Sequence, residues 1–401
     1  MNILFLAPRL PLPADTGGKI RTLNILKQLA RENRVYLLCF TFEESDRSHL
    51  QTIRELGVEV QMVPIDEPSA IRKVSAVVFN PLPFSILKYY SFQMSQSIQQ
   101  VLAKQPFDAI HVDHLHMAVY KDCFKGLPCF LDEHNVEYKI LERCANVERS
   151  WIKKMLYCNQ SRKMMIFESQ KVKGFSGVFA CSFEDRLLLS DLTKGQVAVH
   201  VIPNGVDTGY FNCGLQQNKE KEDAVVFTGS MDWLPNDDAI SYFCKEILPL
   251  VWQKNNVLKL YVVGKNPSKL VKELASRDAR VIVTGRVEDV RPFIEKAKIF
   301  IVPLRIGGGT RLKILEAMAM GKAVISTTIG AEGIECKDGI DIAIADAPHD
   351  FAGKVIDLCR QPVLVAAMGQ EGRNLVCQKY DWNIVGRKLN AIYQEGARAS
   401  K

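Results

Sequence analysis

Gly307, Gly308 and Gly309 stand in a row, and Thr310, Arg311, Lys313 and Glu316 follow them closely. An apolar run ends at Ile301–Val302 just before the glycines, and Thr310–Met320 carries helical periodicity, so the segment reads strand, glycine loop, helix. Thr310 suits the N-cap and Gly321 the closing turn. Free backbone N–H groups at such a helix start, with the helix dipole behind them, bind anions, and glycine lets a phosphate approach. Arg311 and Lys313 add two cations at that mouth. Glu316, one turn deeper on the face of Lys313, offers a carboxylate to the hydroxyls of a ribose. The plain alternative is a tight turn into a helix with a solvated Glu–Lys pair. Two other phosphate loops are excluded. The third glycine of G-x-G-x-x-G falls on Leu312, and no Gly-Lys-Ser/Thr occurs.

Histidines form a second cluster. His111 lies within the strand-like run Ala109–Val112, and His114 and His116 follow it. Their order, His-Val-Asp-His-Leu-His, differs from the His-x-His-x-Asp-His of metallohydrolases, so no metal is expected. A plain loop and a set of sugar or acceptor contacts beyond a strand end both remain open, with His114 as the acceptor-side candidate. His134 stands similarly after the strand-like run at Cys129–Leu131.

The elements that position these groups alternate along the chain. Buried strands are expected at Ile3–Ala7, Val35–Thr41, Val58–Val63, Ala109–Val112, Cys129–Leu131, Gly177–Ala180 and Val197–Ile202. A Pro- and Gly-rich loop after the first strand leads to a helix over Lys19–Glu32. Turn chemistry at Pro203-Asn204-Gly205 and the aperiodic polar stretch Asn212–Asp223 mark a linker. The alternation restarts with strands at Ala224–Phe227, Leu258–Val263, Val281–Thr284, Ile299–Val302 and Ala323–Ser326. Helices fit Ala239–Gln253, Ser268–Ser276, Val287–Lys296, Thr310–Met320 and Phe351–Cys359, and the final Trp382–Ala397 is helical in pattern. Strands apolar on both faces and interleaved with helices imply doubly wound parallel sheets, one in each half.

A formal net charge of +7 is modest, and no aromatic-basic interleaving suggests nucleic acid as a partner. The 11 cysteines include no C-x-x-C pair, and Cys39, Cys129 and Cys181 lie in apolar runs, as small buried hydrophobes do in a reducing compartment. The N-terminal apolar run has strand length rather than signal-peptide length, and no stretch is long and apolar enough to span a membrane. Pro81–Tyr90, Trp151–Tyr157 and Arg162–Phe167 mix bulky apolar residues with cations, a pattern shared by buried core helices and by faces that lie on an anionic membrane.

These motifs resemble those of the retaining glycosyltransferases of family four, which have the GT-B architecture. The resemblance runs over nearly the whole chain: Gly17–Gly18, the turn Ile202–Asp207, Phe227–Ser230, Val262–Gly264, Thr284–Val287 and Leu315–Ala319. Within the family the chain is similar to bacterial sugar transferases of exopolysaccharide and exosortase-type loci. The resemblance implies an α/β fold of two Rossmann-like parallel-sheet domains facing a cleft. Residues 1–200 would form the acceptor side and 201–381 the donor-binding domain, with 382–401 a helix packing back on the first. It implies that Glu316 holds the ribose and that the Arg286–Val287 backbone meets the base. Gly308, Gly309 and Thr310 would meet the diphosphate and donor sugar, beside the Gly229–Ser230 turn. Gly17 and Gly18 would approach the diphosphate from across the cleft, and His134 would lie near the donor sugar and acceptor.

Two departures bear on mechanism. Many members carry a second glutamate eight residues before Glu316, where this chain has Gly308. Many also carry an Arg and a Lys after the glycine of the Phe-Thr-Gly strand, where this chain has Ser230–Asn236 without either. Arg311 and Lys313 are therefore expected to neutralise the leaving diphosphate. The expected activity is transfer of a sugar from a nucleotide sugar, UDP- or GDP-linked, to a glycan or lipid-linked acceptor in cell-surface polysaccharide synthesis, with no cofactor and no metal. The expected location is the cytoplasm, including peripheral contact with the inner face of the membrane. A sugar-nucleotide epimerase of the same fold and a catalytically silent nucleotide-sugar-binding subunit remain as alternatives.

Overall fold

The computed structural model describes residues 1–399 except 43, 66–79, 125, 149, 213–221 and 308. Two compact units emerge: Met1–Asn204 with Trp382–Lys401, and Gly205–Asp381. The linker expected at Asn212–Asp223 lies mostly outside the described residues, and its last two residues, Glu222 and Asp223, open a strand instead.

The first unit is built on a seven-stranded sheet in the order β3-β2-β1-β4-β5-β6-β7. Its strands are β1 (Asn2–Ala7), β2 (Arg34–Thr41), β3 (Val58–Pro64), β4 (Ala109–Asp113), β5 (Cys129–Glu133), β6 (Gly177–Ala180) and β7 (Val199–Val201). Every pairing is parallel. The central strands β1, β4, β5 and β6 are buried along nearly their whole length, as they must be when helices cover both faces. Helix α1 (Gly17–Ala30) buries Leu23, Ile25, Leu26 and Leu29 on the sheet, and the Thr16 side chain caps it by accepting from Lys19 N. Gly17 and Gly18 thus belong to the first helical turn rather than to a preceding loop. The C-terminal helix Trp382–Ala399 belongs to this unit, with Trp382, Val385, Leu389 and Tyr393 in one apolar cluster with Phe5 and Leu26.

The second unit holds a six-stranded sheet, β10-β9-β8-β11-β12-β13, again parallel throughout. Its strands are β8 (Glu222–Thr228), β9 (Lys259–Val263), β10 (Val281–Gly285), β11 (Ala297–Val302), β12 (Ala323–Ser326) and β13 (Ala343–Ile344). The two-residue β13 is too short to carry a pattern, and sequence reading passed it over. The helix expected at Ala239–Gln253 starts earlier, at Leu234, and widens into a π-helical turn at Phe243–Ile247 before continuing from Leu248. Pro249 explains the widening, because it has no N–H for the ladder and its ring crowds the preceding turn.

Helix α2 (Leu312–Ala319) follows the triple glycine. Its N-cap is Arg311 rather than the expected Thr310, whose hydroxyl reaches the Gly333 carbonyl at 3.5 Å. Gly321 closes it at φ 65°, with its N–H donating to Met318.

Candidate active site

In an open parallel sheet, ligands collect beyond the strand C-termini where the strand order reverses. The reversals here fall between β1 and β4 in the first unit and between β8 and β11 in the second. Both sets of candidate residues follow those strands: His114 after β4 and Gly17–Gly18 after β1; Gly229–Ser230 after β8 and Gly307–Thr310 after β11.

The crevice of the second unit is made bare by glycine. β8, β9 and β10 end at Gly229, Gly264 and Gly285, all with positive φ. A Cβ on Gly264 would lie 1.8 Å from the Gly229 carbonyl oxygen, and one on Gly229 would lie 2.7 Å from Lys313 Nζ and 2.8 Å from Asn236 Nδ2. Only glycine lets Lys313 cross the end of β8. There the Lys313 ammonium donates to Asn236 Oδ1 at 2.8 Å and sits 4.1 Å from the Phe227 ring centroid, while Asn236 Nδ2 donates to the Ser230 carbonyl. Among the described residues Lys313 forms no ion pair with Glu316. Burial, with Arg311 nearby, lowers the Lys313 pKa to about 7, and burial raises Glu316 to about 7 against the pull of Lys313. Arg311 folds back to donate to the Gly309 carbonyl, and among the described residues no side chain caps α2. The helix start therefore keeps backbone donors for an anion.

The crevice of the first unit is a buried charge network. Arg21 donates to Asp132 through Nε and Nη2 at 3.0 and 2.6 Å, and through Nη1 to Asn204 at 3.2 Å. His134 Nε2 donates to Asp113 Oδ1 at 2.9 Å and lies 3.5 Å from Asp132 Oδ2, while the Thr22 hydroxyl donates to Asp113 Oδ2. Burial alone would lower the His134 pKa, but Asp113 and Asp132 overcome it and hold the group at about 9. His134 is thus an imidazolium at neutral pH. Its Nδ1 is buried without a partner, beside the bare Cα of Gly18, where a Cβ would stand 3.7 Å away.

His114 lies against the His134 ring, with centroids 3.5 Å apart, and its left-handed φ of 67° turns the chain out of β4. Burial and the charge of His134 lower His114 to about 3 and His116 to about 4, so both stay neutral. His111 shares the face of β4 that carries Asp113, and its Nδ1 lies 2.7 Å from the Tyr393 hydroxyl of the C-terminal helix. Two residue sets, Asp113-His114-His134 and His111-Asp113-Asp132, are close enough to ligate a metal ion. Their carboxylates already serve His134, Thr22 and the Arg21 guanidinium, a donor set suited to fixing a proton on His134.

Comparisons with known proteins place the chain in a family. Residues 16–210 match the family model described as Glycosyltransferase Family 4, and residues 222–361 match that of Glycosyl transferases group 1. This chain is a glycosyltransferase with a Family 4 domain and a group 1 domain. It is 22% identical to an uncharacterized 44.6 kDa protein in the cps region of Klebsiella pneumoniae, over 98% of this chain and 99% of that one. It is 26% identical to the phosphatidyl-myo-inositol mannosyltransferase of Mycobacterium tuberculosis, over 52% of this chain and 59% of that one. Among solved structures, the sucrose-phosphate synthase of Thermosynechococcus elongatus aligns with a TM-score of 0.73 at 15% identity, covering 100% of both chains. Anabaena HepE in complex with UDP and glucose aligns at 0.70 and 14% identity, over 98% of this chain and 100% of that one. The fold is GT-B.

In this glycosyltransferase, the second unit gathers Gly229, Ser230, Lys313 and Glu316 around the end of β8 and the start of α2, with Gly309, Thr310 and Arg311 on the adjoining loop. Arg286 is exposed just past Gly285, and Val287 packs on the core of that unit. Gly308 lies outside the described residues. The first unit gathers Gly18, His114 and His134, with Gly17 on the exposed side of the same helical turn. Sequence reading missed Asn236, Gly264, Arg21, Asp113 and Asp132. The glycines at the ends of β8, β9 and β10 were a usable signal. The partners of His134 gave none, because Arg21 and Asp132 lie 111 residues apart.

Proposed function

We propose that this glycosyltransferase moves a sugar, with retention, from a nucleotide sugar bound on the second unit to a glycan or lipid-linked acceptor on the first. The observation that carries the donor half is Lys313, held by Asn236 over the bare end of β8 beside the uncapped start of α2. Lys313, Arg311 and the α2 N–H groups neutralise the departing diphosphate, taking the place of the absent Arg–Lys pair. Glu316 accepts from the ribose hydroxyls, and the backbone at Arg286–Val287 meets the base. The transition state is oxocarbenium-like. His134 supplies a fixed positive charge through its unpartnered Nδ1–H, aimed past Gly18, and a diphosphate oxygen takes the acceptor proton. The reading needs no cofactor and no metal.

HepE, named above with UDP and glucose, favours a UDP-sugar donor, and a GDP-mannose-dependent mannosyltransferase of Corynebacterium glutamicum, 30% identical over 34% of this chain and 38% of that one, keeps a GDP-sugar in view. The cps-region relative supports a role in capsule or exopolysaccharide synthesis. No described helix is long and apolar enough to cross a membrane. Peripheral contact would instead use the exposed Trp151, Ile152 and Met155 beside Lys153 and Lys154.

The test is a binding and turnover screen against UDP-, GDP-, ADP- and CMP-sugars, with Glu316→Ala alongside. Selective binding of one donor, weakened about 10–100-fold in the variant, is expected from the loss of a charged hydrogen-bond acceptor. Equal binding by the variant would remove Glu316 and the Gly307–Glu316 segment from the donor site.

A further inference from the structure

The β1/β4 crevice opens into a pocket of about 220 Å³, lined among others by Arg9, Lys19, Tyr89, His114, His116 and Glu137. Its charges are segregated. Asp113 and Glu137 belong to the side of His134, and burial raises the Glu137 carboxyl to about 7. A chain of rings leads away from them: His134 to His114, His114 to His116 with centroids 6.2 Å apart, and His116 to Tyr89 at 5.3 Å.

At the far end of that chain stand two cations. Arg9 donates from Nη2 to the Tyr89 hydroxyl at 3.2 Å and lies 5.0 Å from the Phe42 ring centroid. The Lys88 ammonium lies 5.5 Å from the same ring and 5.8 Å from that of Tyr89. Both act on His116, whose neutrality their charges reinforce. Among the described residues neither forms an ion pair with a carboxylate. The site is firmly built, because Tyr120 accepts from Ser91 N and donates to the Tyr89 carbonyl, fixing the segment that carries Lys88 and Tyr89. Two half-buried cations beside one aromatic ring repel each other, and an anion relieves that cost.

We propose that this pocket takes an acceptor carrying a phosphoryl group, held between Arg9 and Lys88 on the Phe42–Tyr89 platform, with the acceptor sugar lying over His116 and His114 toward His134. The inference rests on the reading of this crevice as the acceptor side and adds the acceptor's chemical class. The phosphoryl group can belong to a water-soluble sugar phosphate or to a lipid-linked sugar. Tyr90 and Phe92, which follow Lys88 and Tyr89 in the chain, are 59% and 71% exposed, an apolar edge beside the cations suited to a lipid chain.

The experiment uses the full chain saturated with UDP, so that the donor site is filled, and titrates glucose 1-phosphate and methyl α-glucoside in parallel. The ring signals of His114 and His116 report the site. Glucose 1-phosphate is expected to shift them and methyl glucoside at equal concentration to leave them in place. Affinity should fall about tenfold in Arg9→Gln or Lys88→Gln, about a hundredfold in the double variant, and recover in Lys88→Arg. Unfolding midpoints check that the variants fold. Equal binding of methyl glucoside, or unchanged affinity in the double variant, overturns the proposal. Failure of UDP, and of GDP in its place, to bind the wild type counts against the donor-site reading instead. Dodecyl phosphate against inorganic phosphate separates the sources. A lipid-linked acceptor predicts tighter dodecyl phosphate binding that Phe92→Ser weakens, and a soluble one predicts parity.

Discussion

The crevices of the two units occupy the same topological position and are made of opposite materials. Beyond β1 and β4 the chain places Arg21, Asp113, Asp132 and His134, buried and paired with one another, with only His134 Nδ1 left over among their nitrogens and oxygens in the described residues. Beyond β8 and β11 it places glycines, one lysine held by a neutral amide, and a helix start with no capping side chain. The first arrangement fixes protonation states before any ligand arrives, at the cost of burying charge. The second keeps its donors and cation available, which suits a site whose partner brings its own negative charge. A shared topology therefore sets where a ligand goes, and the local residues set whether the site is preorganised or waiting.

The sharpest way to break this contrast is to remove one charge from each side. Asp132→Ala leaves the Arg21 guanidinium buried without its carboxylate and is expected to cost about 3–5 kcal/mol in denaturant unfolding. Glu316→Ala should stay within about 1 kcal/mol of wild type in the same assay, since Glu316 forms no ion pair among the described residues. If the two variants unfold alike, the distinction between a self-satisfied and a waiting crevice is lost.

Gly229→Ala tests the bare surface. The added methyl meets Lys313 and Asn236 at a backbone φ of 151°, so nucleotide-sugar affinity should fall tenfold or more. Calorimetric binding indistinguishable from wild type would show that Lys313 need not cross the end of β8.

Asp113→Asn sharpens the electrostatic half. In the wild type, His134 should titrate near 9 in NMR spectra while His114 and His116 stay neutral to about pH 4. The folded-state value lies above the unfolded one, so the stability this charge contributes is complete below about pH 6.5 and is lost as pH rises through about 9. In the variant, burial is left with one carboxylate fewer against it, and the midpoint should drop markedly. A midpoint that stays near 9 would assign the shift to Asp132 alone. The smallest effect belongs to Asn236→Ala, which frees the Lys313 ammonium without removing it. Nucleotide affinity should fall about threefold to tenfold, with folding unaffected.

The chemistry of the second unit was legible because it is local. Arg311, Lys313 and Glu316 share one helix and one loop, and their spacing alone marks them as candidates for an anion site. Thr310 shows the limit of that reading: its type suits an N-cap, yet the glycine loop carries the chain one residue further before the helix begins. Gly17 and Gly18 looked like loop residues because glycine disfavours helices, yet capping by Thr16 holds both in the first turn of α1, where Gly18 lies against His114 and His134.

His134 was identifiable as a candidate, but its charge was not. The carboxylates that protonate it come from β4 and β5, and the guanidinium that stabilises Asp132 comes from α1. Asn236, which sets Lys313, lies 77 residues from it in the chain. By itself the sequence determined the strands, most helices and the candidate groups for a diphosphate, since hydrophobic period and turn chemistry act over a few residues. Only the tertiary structure decided which strand ends adjoin, and so which buried carboxylates meet which histidine, because strand order in a parallel sheet joins residues far apart in sequence.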